Sequence, residues 1–75
     1  MGKSFSIVAG YYTGEGFVPK NDYNLVIVKA RDERSALRKY RRHHTMSTGM
    51  YEIFRSNTIW ILSSSYGVDF IAIPA

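Results

Sequence analysis

The chain has no cysteine, two prolines and one tryptophan in its 75 residues. Without cysteine, a disulfide framework and a thiolate zinc site are both excluded. The absence also fits a reducing compartment. No apolar run approaches the roughly 18 residues of a membrane span. The N-terminus lacks the charged-then-apolar layout of a secretory signal. The expected location is therefore cytoplasmic, with no membrane partner. Histidine is scarce too, and its two copies, His43 and His44, are adjacent. Neighbouring side chains on a helix point about 100° apart, whereas helical metal pairs use i, i+3 or i+4 spacing. No metal site is expected.

Catalytic groups are equally thin. The acids outside the basic segment, Glu15, Asp22, Glu52 and Asp69, have no histidine near them in sequence. Ser63-Ser64-Ser65 lacks the strand–turn–helix elbow that exposes a nucleophile. Thr13-Gly14-Glu15-Gly16 lacks the third glycine of a phosphate loop and carries the wrong charge for cradling an anion. The chain is expected to be no enzyme, to have no catalytic residue and to use no cofactor.

Hydrophobic residues supply 45% of the chain and aromatics 15%, too much for a disordered segment. The length allows one domain, spanning 1–75. A domain this small buries only about 60% of its unfolded surface. With no disulfide or metal, a homo-oligomer is the expected further source of stability.

Phe5 to Tyr12 is β-branched and aromatic and reads as a strand. Residues 13 to 22 carry turn formers throughout and read as a loop, long enough to be a working element. Tyr23 to Ala30 reads as a second strand, completing a strand pair over 5–30. Being apolar on both faces, that second strand is expected at the centre of a sheet. A helix follows over about 32–45, with Asp32 as its cap. Ala36, Leu37, Tyr40 and His44 form its core-facing stripe, and Gly49 stops it. Met50 to Arg55, Thr58 to Ser63 and Val68 to Ile73 read as a three-strand meander over about 50–73, the first hairpin turning at Ser56-Asn57. The order ββαβββ predicts an α+β fold: an antiparallel sheet of about five strands with one amphipathic helix on one face. One helix cannot cover both faces of such a sheet, so the other is expected to meet water, a second subunit or a partner.

Charge is the most directional signal. The net charge is +4, yet seven of the ten basic residues fall between Lys29 and His44 against two acids, Asp32 and Glu33. The rest of the chain is close to neutral. Arg34, Arg38, Arg41 and Arg42 occupy i, i+4, i+7 and i+8 of the predicted helix and share one face, with Lys29, Arg31 and Lys39 flanking. Arginine forks onto phosphate or carboxylate in a way a lysine coat does not. Four arginines without acidic partners also repel one another.

Aromatics are the second signal. Tyr12, Tyr23, Tyr51 and Trp60 sit on predicted strands or at their ends, where exposed rings stack on unpaired bases or centre a protein interface. The RNA-recognition signature and the GXXG loop are both absent. The expectation is a binding module that docks its arginine helix on nucleic acid backbone, DNA or RNA, with little sequence specificity. The rival is a protein-interaction module, an inhibitor or adaptor, whose arginines meet an acidic protein surface. In size and charge, though in no motif, the chain resembles the small accessory proteins that phages direct at host machinery.

Overall fold

The computed structural model describes residues 2–20, 26–44, 51–65 and 67–75, apart from the side chains of His44 and Tyr51. Among the described residues, six strands and one helix follow one another as β1 (Lys3–Thr13), β2 (Gly16–Pro19), β3 (Val26–Ala30), α1 (Glu33–His44), β4 (Tyr51–Ser56), β5 (Ile59–Ser64) and β6 (Asp69–Pro74). All pairings are antiparallel within one sheet of order β2-β1-β6-β5-β4, with β3 also on β1. The α+β class with one helix on one sheet is as expected, with one more strand. The stop at Gly49, the side chain of His44 and the residue Tyr23 lie outside what is described.

Strand β1 organises the sheet. One of its edges pairs β6 over Phe5 to Gly10. The other carries two strands end to end, β3 against Lys3–Ile7 and β2 against Gly10–Thr13. The expected 13–22 loop is thus partly a hairpin. Thr13 closes its turn, its hydroxyl donating to Gly16 O and accepting from Glu15 N, both at 3.1 Å. Turn formers around a four-residue strand hid it, because Phe17-Val18 alone is too short for a period to show.

The placement of β3 corrects a second expectation. It lies at an edge, paired with β1. Its apolar residues on both faces do not mean burial on both: Val26, Val28 and Ala30 pack toward the helix, while Ile27 stays 57% exposed.

The helix begins as the sequence dictates. Asp32 Oδ1 accepts from Ser35 N at 2.8 Å, satisfying a donor that the first turn leaves orphaned. Ala36 and Leu37 are fully buried and pack with Phe5, Ile7, Ala30 and Leu62, with Tyr40 and Phe70 beside them. That is the main core, between the helix and one sheet face.

The far face is not left bare. Val8 is 4% exposed and Ile61 0%, yet neither belongs to the helix-side cluster. The sheet covers them by coiling. The Tyr12 hydroxyl shares a 2.5 Å hydrogen bond with Ser56 Oγ, although β6 and β5 lie between their strands. In a flat sheet the two residues would be about 14 Å apart across the strands and roughly 20 Å along them. The end of β1 must therefore curl over the face. Gly10 lets β2 pack closely on the same face. A Cβ there would stand 2.2 Å from Val18 O and 2.7 Å from the Phe17 ring. Beyond the start of β6, Asp69 Oδ2 accepts from Tyr12 N at 2.9 Å and satisfies the edge that β6 no longer reaches. The second face is thus partly covered by the sheet itself, and among the described residues the large apolar side chains left exposed there are Ile27, Ile73 and Phe54.

Candidate nucleic-acid interface

Arg31 precedes the Asp32 cap, and Arg38, Lys39 and Arg42 follow on the helix. At 100° per residue, Arg38, Arg42 and Lys39 project within about 100° of one another. Arg31 continues the same spiral at i−7 from Arg38 and i−11 from Arg42. These four side chains, with Ser35 and Ala30, line a groove of about 340 Å³ on the helix flank that looks toward β3. Among the described residues no acidic side chain lines it. The nearest, Asp32, lies 3.8 Å from Arg31 Nε in a solvent-exposed pair of little energetic weight. Its carboxyl is held below the usual range, first by the Ser35 backbone N–H, then by the Ser35 hydroxyl, and further by Arg31 and Arg34. Asp32 is thus committed to the cap.

Lys39 ties the groove to the sheet. Its Nζ donates to Lys29 O at 2.6 Å. An ammonium has three donors, so two remain for a ligand. The Lys29 side chain is exposed on the far face of edge strand β3, pairing in register with Ser4 of β1.

The expected four-arginine face is divided by the structure. Arg34 leans to the opposite flank, its guanidinium 5.2 Å from the Trp60 ring centroid, a cation–π contact of about 0.5–1 kcal/mol at an exposed site. Arg41 is partly buried on that same side. Arg38 and Arg42 are brought together with Arg31 and Lys39. Projection around the helix could have found this division, had Arg31 been counted as part of the spiral.

The expected interface aromatics also separate. Trp60 packs against the main core under Arg34. Tyr12 is committed to Ser56. Tyr51 contributes backbone to β4, and Tyr23 lies outside the described residues. Among the described residues, the aromatics that stand exposed are Tyr11, at 44%, and Phe54. Tyr11 pairs in register with Val18, itself 55% exposed. Among the described residues no group of acids and histidines could hold a metal ion. No helix among them is long and apolar enough to cross a membrane.

Comparison with known proteins finds no match: no family model, no curated protein and no solved structure is similar to this chain.

Proposed function

We propose that the protein is a non-enzymatic module that binds nucleic acid through its phosphate backbone, with little dependence on base sequence. One observation carries the reading: Arg31, Arg38, Lys39 and Arg42 converge on one groove that, among the described residues, no acidic side chain lines. Four cations held together, with only the exposed Asp32 carboxylate beside Arg31, repel one another, and a polyanion relieves that repulsion while releasing its own counterions. Three of the four are arginines, whose planar forks suit phosphate oxygens. Contacts of this kind position a protein on a strand without reading its sequence. Arg34 and Arg41, directed to the Trp60 side, are secondary contacts.

The test is charge reversal by flank. Arg38→Glu/Arg42→Glu abolishes binding of labelled oligonucleotides, whereas Arg34→Glu/Arg41→Glu weakens it several-fold. Both variants must keep the parent's circular dichroism spectrum. Unchanged binding by a folded Arg38→Glu/Arg42→Glu variant would overturn the assignment.

The exposed Tyr11–Val18 pair on the β1–β2 hairpin favours a second reading, a protein-interaction module that uses this apolar pair together with the arginines against an acidic surface. It replaces the first if no nucleic acid binds even at low salt.

A further inference from the structure

The basic groove does not end at Lys39. On the other side of that side chain lies a second depression of about 240 Å³, lined by Val26, Ile27, Val28, Lys39, Tyr40 and His43. Its chemistry differs from its neighbour's. Where the first is arginine and serine, the second has aliphatic residues from β3, a tyrosine packed against Phe70, and the imidazole of His43 on the last helical turn. Lys39 is the wall common to both, anchored by its bond to Lys29 O.

A nucleotide is divided in the same way. It has an anionic phosphate that seeks arginine and lysine, and a flat, weakly polar base that seeks apolar and aromatic surface. In a duplex the bases are paired and stacked inward, so only phosphates reach a protein that does not enter a groove. In a single strand they turn out and stack on aromatic side chains, histidine among them.

We propose that the two depressions form one nucleotide-binding unit for single-stranded nucleic acid. Successive phosphates of the strand lie along Arg31, Arg38, Lys39 and Arg42, and an unpaired base lies against Val26, Val28, Tyr40 and His43. The inference rests on the backbone-binding reading and sharpens it to a strand form. It also accounts for low sequence specificity, since every base has a π-face to stack.

The experiment uses three labelled probes of equal length at about 50 mM salt: a single strand of thymidines, a wholly abasic deoxyribose-phosphate strand and a hairpin duplex. Anisotropy is read with the parent protein, His43→Ala, His43→Phe and Arg38→Ala/Arg42→Ala. The parent should prefer the thymidine strand to the abasic one by about tenfold, the order of one stacked base. His43→Ala should shrink that preference without changing affinity for the abasic strand, and His43→Phe should keep it. Arg38→Ala/Arg42→Ala should weaken all three probes. Equal affinity for the thymidine and abasic strands, or a preference for the duplex, would overturn the single-strand inference and leave the backbone reading standing. Failure to bind any of the three would overturn both.

Discussion

Replacing Gly10 by alanine tests how closely β2 packs on β1. A Cβ at this position would sit 2.2 Å from Val18 O and 2.7 to 2.8 Å from two carbons of the Phe17 ring. Non-bonded heavy atoms find their optimum near about 3.5–4.0 Å, so the oxygen would have to retreat by more than about 1 Å. The ring can swing aside, but the oxygen belongs to β2, which is held to β1 by the Tyr11–Val18 and Gly10–Pro19 pairings. Overpacking typically costs about 1–3 kcal/mol, and a backbone obstacle places Gly10→Ala near the upper figure. For a domain of this size about 1 kcal/mol moves the melting temperature by roughly 4–8 °C, so a fall of roughly 12–24 °C is expected. Thermal melts followed by circular dichroism measure it directly. Gly10→Ala/Phe17→Ala removes the ring and not the oxygen, so it should remain destabilised. A Gly10→Ala variant melting within about 3 °C of the parent would refute the close approach of β2 to Gly10.

Three further outcomes follow from other parts of the molecule. Tyr12→Phe removes the bond to Ser56 and should cost about 1 kcal/mol in urea unfolding; no change would mean that the contact does not hold β1 over the sheet. Asp32→Asn keeps a capping oxygen but loses the charge. Because folding lowers the Asp32 carboxyl below its ordinary value of 3.8, its contribution is complete above that pH and is lost as pH falls through the folded-state value. The stability gap between parent and Asp32→Asn should therefore close in acid and be constant from pH 5 to 7 or so; a gap that widens in acid would contradict the sign. Leu37→Ala, in the main core, should cost about 3 kcal/mol, and retained parental stability in denaturant titration would show that the helix does not close that core.

The helix was readable in sequence because its signals are local. Asp32 accepts a bond from three residues away, and Ala36, Leu37 and Tyr40 share a face through backbone geometry alone. The strands of the meander were readable for the same reason, each placed one residue early. The turn residue Asn57 does take a positive φ, of 56°. What was not readable depends on distant partners. The curl of β1 rests on Tyr12 meeting Ser56, 44 residues on, and Asp69, 57 residues on. No period in a short run such as Gly16–Pro19 announces a strand that only β1 stabilises. Ile27 looked like a core residue because apolar character does not reveal whether a strand lies at an edge. The basic site was half legible. The charge cluster and the choice of arginine stood out, but the division between its flanks depends on Trp60 drawing Arg34 one way and the Lys29 carbonyl drawing Lys39 the other.

If the four cations of one groove meet phosphates, as proposed, the salt dependence of binding counts those contacts. Anisotropy of a labelled single strand, measured from about 50 to about 200 mM salt, should give a slope of log K on log salt near about −2.8, close to a 50-fold loss. In Arg38→Ala/Arg42→Ala the slope should fall to about −1.4, roughly a sevenfold loss over the same range. A slope near zero, or one that this variant leaves unchanged, would contradict the account.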